Sequence, residues 1–263
     1  MDSETLLWLS LVIPTIGAAG IGLTGRFPNL REGVTLVTAV ALWTTVMHLA
    51  TRVLDGERPS AHGLEVLPGI DIAFAIEPLG MLFASIASTL WIVNSVYSIG
   101  YMRGNDEPRQ TPFYVCFAIA IASAVGVAFS ANLFTLFLFY EVLTLSTYPL
   151  VAHKGNEAAR INARIYLMIL LATSMALLLP AIIWTGVTAG TLDFTEGGIL
   201  AGTGMPAWAA TILMGLFIFG IGKAAVMPVH NWLPAAMVAP TPVSACCTRS
   251  RSSRRASSPS SRW

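Results

Sequence analysis

The chain has 263 residues, of which 55% are apolar and only 11% are charged, and its mean hydropathy is +0.69. Soluble domains carry roughly 25% charged residues, so this composition excludes an ordinary soluble enzyme and predicts a protein whose surface mostly faces something other than water. The formal net charge of +1 argues against nucleic acid as a main partner.

Seven apolar stretches follow one another along the chain and predict an all-α integral membrane protein. A membrane-spanning helix needs about 20 mostly apolar residues. Six stretches meet that length without a break, namely 5–25, 33–51, 79–101, 112–130, 131–152 and 165–189. The seventh, 207–239, is too long for one crossing at ~1.5 Å per residue. Pro228 and Pro234 interrupt it, so we predict two half-helices with a helix break at Pro228.

The longest connection, 52–78, separates the second and third apolar stretches. Along it, apolar residues recur at every second position, as in Leu64 and Val66 and again in Ile70, Ile72 and Phe74. A period of two residues is typical of a β-strand. We therefore predict that this connection forms a short hairpin over the outer face of the protein.

The basic residues of the loops predict the orientation in the membrane. If the N-terminus is outside, the inner loops hold most of the basic residues and the outer loops hold only two. The inner ones are Arg26, Arg31, Arg103, Arg109, Lys154, Arg160 and Arg164, and the outer ones are Arg52 and Arg58. Cytoplasmic loops are enriched in Lys and Arg. We therefore predict a multi-pass protein of the cell (inner) membrane with its N-terminus outside.

Two ionisable residues fall near mid-membrane depth, Glu141 in the fifth stretch and Lys223 in the seventh. An ionised side chain there costs on the order of 2.5–3.5 kcal/mol. The two could form a structural ion pair, which at ~4 Å would gain roughly 4 kcal/mol at an effective dielectric near 20. The alternative is a proton relay, in which the approach of Glu141 raises the proton affinity of Lys223 and its departure lowers it.

The predicted break in the seventh stretch favours the relay. A proline inside a helix frees a backbone carbonyl, and transporters use such freed groups to build ion sites. His230 follows Pro228 and can change its charge near neutral pH, so it is a candidate for proton handling, with a structural histidine as the alternative. No metal-ligand spacing, phosphate loop or catalytic nucleophile stands out, and we expect no cofactor.

Two runs carry a family resemblance, FLFYEVLTLSTYPLVAHKG at 137–155 and GKAAVMPVHNWLPAAMVAPTPVSA at 222–245. They resemble the antiporter-like membrane subunits, which include the large hydrophobic subunits of NADH:quinone oxidoreductase (complex I) and the D-type subunits of multisubunit monovalent cation/proton antiporters. The resemblance implies that Glu141 and Lys223 are the pair that drives proton movement. It also implies that Pro228 breaks the seventh helix, whereas His230 falls where family members vary.

The resemblance covers about 112–245, which it implies is the proton-translocating domain, and residues 1–111 match mainly as three leading helices. The phrase TLSTYPLVAHKG favours the cation/proton antiporter branch. The expected function is proton translocation, against Na⁺ or K⁺, within a complex of other membrane subunits in a lipid bilayer. The alternatives are a complex I membrane subunit that couples NADH:quinone oxidoreduction to proton pumping, and a non-functional truncated fragment.

Residues 246–263, CCTRSRSSRRASSPSSRW, are rich in Arg and Ser and lack Leu, Ile, Val and Phe. Family chains continue into an eighth helix and a second inverted repeat, so the resemblance implies C-terminal truncation, with the first repeat incomplete and the second absent. A frame shifted back by one nucleotide must encode Leu across Cys246–Cys247 and His or Tyr across Cys247–Thr248. We therefore expect a frameshift product; a basic tail on anionic lipid headgroups is the alternative.

Overall fold

A computed structural model of the chain describes residues 2–67, 70–153, 157–195, 197–200 and 203–224. The described residues form a helical bundle with one small hairpin. The helices are α1 (Ser3–Leu23), α2 (Pro28–Leu54), α3 (Pro78–Gly104), α4 (Gln110–Ala128), α5 (Leu133–Val151), α6 (Glu157–Thr173), α7 (Leu179–Ala189) and α8 (Ala207–Gly220). A π-helical turn, Ser174–Leu178, joins α6 to α7, and the strands are β1 (Ser60–Leu67) and β2 (Ile70–Ala75).

Six helical spans within this described part are long and apolar enough to cross a membrane. They are α1 to α5 and the continuous run of α6, the π-helical turn and α7. Apolar side chains such as Val37, Val93 and Met168 are exposed on the outside of the bundle, where hydrocarbon can solvate them. The all-α membrane architecture predicted from hydropathy is therefore confirmed.

The seventh apolar stretch departs from a regular helix earlier than predicted. Helix α8 has 14 residues and ends at Gly220, and Gly222–Ala224 forms a single 3₁₀ turn. A 14-residue helix is ~21 Å long, shorter than the ~30 Å hydrocarbon core. Regular helix thus ends eight residues before Pro228, at a pair of glycines with low helix propensity. Pro228, Pro234, His230 and the 246–263 tail lie outside the described residues.

The sixth crossing begins earlier than predicted, at Glu157, and contains the π-helical turn. Pro180 explains the turn, because it has no N–H for an i→i−4 bond and its ring clashes with the carbonyl of the preceding turn. Hydroxyl groups add to the effect: Thr173 Oγ1 donates to Leu170 O at 2.9 Å, and Ser174 Oγ donates to the same oxygen at 2.9 Å. Such bonds to the backbone bend or widen helices.

The predicted hairpin is present as the antiparallel pair β1 and β2. It also holds the start of α5. The amide of Ala75 donates to Phe129 O at 2.8 Å, which ties β2 to the connection between α4 and α5. Asn132 caps α5 by accepting from the Thr135 amide at 2.7 Å, and its side chain donates to Asp71 O at 2.8 Å. The hairpin therefore sets the position of the helix that carries Glu141.

A buried charged cluster ties α2, α3 and α4 together, although its arginines were predicted to lie in loops. Arg31 and Glu32 are 4% and 5% exposed. The Glu32 carboxylate accepts from Arg103 Nε at 3.1 Å and Nη2 at 2.6 Å. Arg31 donates to Gln110 Oε1 at 2.7 Å and to Thr111 Oγ1 at 3.2 Å. These charge-assisted bonds fix the mutual positions of the leading helices.

We expect Glu32→Gln to destabilise the protein by on the order of 3 kcal/mol, because Arg31 would stay buried without its carboxylate. The measurement is the midpoint of thermal unfolding in detergent. Glu57→Gln is the matched control, since the Arg52–Glu57 pair at 3.7 Å is solvent-exposed and such pairs contribute about 1 kcal/mol or less. Equal shifts for the two variants would contradict a stabilising role of the buried cluster.

Candidate functional site

Glu141 lies near the midpoint of the 19-residue helix α5 and is 8% exposed. Neither carboxyl oxygen accepts a hydrogen bond from any residue in the described ranges. Buried polar atoms in folded proteins nearly always have a partner, and an exception needs an explanation. At membrane depth the usual explanation for an unpartnered carboxyl is a function that requires it to exchange a proton or a partner.

Lys223 lies in the 3₁₀ turn that follows the end of α8, and it is held against the residue that precedes Glu141. Its backbone amide donates to Tyr140 Oη at 3.2 Å. Its Nζ lies 4.4 Å from the centroid of the Tyr140 ring and 3.5 Å from Tyr140 O. The structure therefore brings the two predicted residues onto neighbouring elements, with Tyr140 at the contact between them.

Close backbone packing explains why Lys223 reaches α5. A Cβ added to Gly220 would lie 2.7 Å from Leu178 N, at the end of the π-helical turn. A Cβ added to Gly222 would overlap the Thr173 hydroxyl. Only glycine allows the end of α8 to approach the sixth crossing this closely. The end of α8 and the π-helical turn of the sixth crossing thus lie against each other next to Lys223.

An apolar cluster packs around the contact. Tyr140, Leu178 and Ile182 are its buried members, and Phe137 and Phe217 pack against them. Elements α5, α7, α8 and the π-helical turn all contribute to it. Apolar packing around the Tyr140–Lys223 contact lowers the local dielectric, which strengthens the interaction of the ammonium group with its neighbours.

Hydroxyl groups extend from Glu141 toward the C-terminal end of α5. Thr144 Oγ1 donates to Tyr140 O at 2.9 Å, and the hydroxyl groups of Thr147 and Tyr166 are 2.8 Å apart. Beyond the end of α5 lies His153, which is 7% exposed. Burial and the nearby Arg109 lower the pKa of His153, whereas Glu107, 3.9 Å from its Nε2, opposes that shift.

Sequence reasoning missed both Tyr140 and His153. The signal for Tyr140 was its position beside a buried acid in an aromatic-rich run, and the signal for His153 was its place at the end of the same helix. Neither signal specifies a contact, because the partners come from other elements. Pro228, the predicted helix break, and His230, the candidate for proton handling, are not among the described residues.

The fold and site define a polytopic helical membrane protein with a buried acid and with a lysine just beyond the end of a short helix. Residues 130–249 match the family model described as NADH:quinone oxidoreductase/Mrp antiporter, TM. The chain is 27% identical over 256 residues to NAD(P)H-quinone oxidoreductase chain 5 of Picosynechococcus sp., covering 90% of this chain and 38% of that protein. It is 30% identical over 182 residues to a putative antiporter subunit of Staphylococcus aureus, covering 67% and 22%.

The fold is also similar to a chain of the Mrp complex from Dietzia sp., with a TM-score of 0.72 and 26% identity. That match covers 92% of this chain and 26% of the other. This chain is therefore similar to the antiporter-like membrane subunits, and the resemblance predicted from its two sequence runs is confirmed. It spans well under half the length of the quinone oxidoreductase and antiporter chains named above.

Proposed function

We propose that this chain is a proton-translocating subunit of a multisubunit membrane complex and that Glu141 and Lys223 form its proton relay. The observation that carries the proposal is a buried Glu141 carboxyl with no hydrogen bond from the described residues, one position from the tyrosine that holds Lys223. Residues 112–245 form the translocating part, and residues 1–111 pack beside it as leading helices. The N-terminus lies outside the cell membrane.

The geometry favours a relay over a structural ion pair. A structural pair would hold the Lys223 ammonium against the Glu141 carboxylate, which would then accept a hydrogen bond. Instead the ammonium lies over Tyr140 and beside its carbonyl oxygen. Moving Glu141 toward Lys223 favours the protonated lysine, and moving it away favours proton release. A helix interrupted at the site supplies the freedom for that movement, and Pro228 and His230 belong to the same proposed region.

The ion that moves in exchange for the proton is Na⁺ or K⁺ in this proposal. The support is the similarity to antiporter subunits and to the Mrp complex. A second candidate is a proton-pumping subunit driven by NADH:quinone oxidoreduction, because the chain 5 relative matches 90% of this chain. In both candidates the partners are other membrane subunits, since the named relatives are parts of larger complexes.

Ion flux in the native complex tests the proposal. The tagged chain is purified from its own membranes with its partner subunits and reconstituted into vesicles that contain a pH-sensitive dye. After a pH gradient is imposed, adding Na⁺ or K⁺ is expected to dissipate it, whereas choline, which antiporters of small cations do not accept, serves as the control. Proton uptake only with NADH and a quinone would favour the second candidate. A complete complex that moves no protons under either condition would refute both.

A further inference from the structure

We infer that Tyr140 is the positioning residue of the site: its hydroxyl anchors the interrupted helix and its ring face holds the protonated ammonium group of Lys223 between encounters with Glu141. This inference rests on the proposed function, because it assigns Tyr140 a part in the same relay. Tyr140, the residue before Glu141, is thereby a second partner for Lys223.

Three contacts join Tyr140 to Lys223. The Tyr140 hydroxyl accepts from the Lys223 amide at 3.2 Å, the ammonium nitrogen lies 4.4 Å from the ring centroid, and it lies 3.5 Å from the Tyr140 carbonyl oxygen. Tyr140 itself is 6% exposed. One residue thus contacts both the backbone and the charged end of Lys223, so the lysine cannot shift without changing its contacts with Tyr140.

The hydroxyl contact solves a problem that the helix interruption creates. Where α8 ends at Gly220, the backbone leaves the regular hydrogen-bond pattern, and unpaired backbone groups at membrane depth must be satisfied by protein or water. Tyr140 Oη provides the acceptor for one of them, the Lys223 amide. A phenolic hydroxyl at the end of a rigid ring reaches across to the neighbouring element at a fixed distance, which a short hydroxyl side chain on α5 would not do.

The ring face acts on the charge of Lys223. Aromatic faces carry negative potential and attract ammonium groups within about 6 Å of the ring centroid, more strongly when water is excluded. Leu178, Ile182 and Phe217 exclude water around this ring. Of the elements packed at the contact, α8 and the π-helical turn carry no titratable residue. Leu170 and Thr173, the two α6 residues next to Gly222, are not titratable either. Within the part of the chain that the structure describes, the nearby titratable groups are Tyr140 and Glu141 of α5.

Because Tyr140 and Glu141 are consecutive residues of α5, the Lys223 ammonium group can contact only one of their side chains at a time. Successive side chains leave a helix about 100° apart, so the Tyr140 ring and the Glu141 carboxyl project in different directions from the same turn. A rotation of α5 or a shift of the interrupted segment that brings Lys223 to Glu141 takes it away from the ring. The ammonium group therefore exchanges an aromatic face for a carboxylate, and Tyr140 keeps it charged and in place until that exchange.

The test uses Tyr140→Phe and Tyr140→Leu in the reconstituted complex, with proton flux measured as a function of pH. Phe keeps the ring and removes the hydroxyl anchor, so we expect a flux about 3- to 10-fold lower with an unchanged midpoint of the pH profile. Leu removes the ring as well, so the midpoint should move about one pH unit lower, because the protonated lysine loses its aromatic partner. Phe137→Leu, in the same apolar cluster, is the control for altered packing.

The outcomes separate this inference from the proposed function. A wild-type complex without proton flux would refute the proposed function itself. If the wild type moves protons and Glu141→Gln stops it, but Tyr140→Leu keeps the wild-type profile, the positioning role of Tyr140 is wrong. A loss of flux without a shift of the midpoint in Tyr140→Leu, matched by Phe137→Leu, would reduce Tyr140 to a packing residue. If Tyr140→Leu does not fold, Tyr140→Phe decides the test: a flux about 3- to 10-fold lower supports the hydroxyl anchor, and wild-type flux refutes it.

Discussion

Glu141→Gln is expected to lower proton flux in the reconstituted complex by about 100-fold or more, while the chain still inserts and folds. Glutamine has nearly the same shape and can occupy the same buried position in α5, but it can neither take up nor release a proton. The Glu141 carboxyl has no hydrogen-bond partner among the described residues, so the substitution breaks no structural contact seen there. The measurement is the rate at which an imposed pH gradient collapses in vesicles.

Glu157→Gln provides the matched control, because Glu157 is an exposed acid in the first turn of α6. It undergoes the same chemical change at the membrane surface and should keep near wild-type flux. If Glu141→Gln moves protons at the wild-type rate, Glu141 has no part in the relay. If both variants lose flux equally, the effect comes from surface charge and not from the buried carboxyl.

Lys223→Arg should be nearly as damaging to flux as Glu141→Gln, with little effect on folding. Arginine keeps the positive charge and can stack on the Tyr140 ring in place of the ammonium group, but it does not release its proton at any accessible pH. A site that needs only a fixed positive charge would tolerate the change. A relay that must load and unload a proton would not, so the same flux assay distinguishes the two.

Arg164→Lys is the control for this exchange, since Arg164 is exposed on α6 and the reverse substitution there should leave flux unchanged. Lys223→Ala removes both charge and contact with Tyr140 and should abolish flux together with some stability. Full activity in Lys223→Arg would assign Lys223 to a structural ion pair, which is the alternative interpretation that the sequence left open.

Hydropathy located the crossing helices well, because membrane burial imposes a length and an apolar composition that are visible in any single stretch. The hairpin at 60–75 was visible for a similar reason, since alternation with a period of two residues is a local property. Helix ends were less visible. The sixth apolar stretch was predicted to start at 165, whereas α6 starts at Glu157. The first turns of this helix contain Arg160 and Arg164, and charged residues lower the hydropathy by which a crossing is recognised.

The end of α8 shows what a local rule left out. Proline at 228 is a strong breaker by itself, so the sequence prediction placed the break there. Pro228 lies outside the described residues, so that break stays a prediction. Within the described part, α8 already ends at Gly220, where Gly220 and Gly222 pack against Leu178 and Thr173 of the sixth crossing. Glycine alone is weak evidence for a break, and its meaning depends on which backbone lies opposite.

The sequence by itself determined that this is a helical membrane protein and which family it resembles, and it singled out Glu141 and Lys223 as candidate site residues. Each of these follows from composition or from a short run of residues. Only the tertiary structure decided that Lys223 lies on Tyr140, 83 residues away in the chain, and that Arg31 and Glu32 are buried beside Arg103. The physical reason is that such contacts depend on how helices cross and rotate about their axes. That packing is set by many side chains together and is not visible in any one segment.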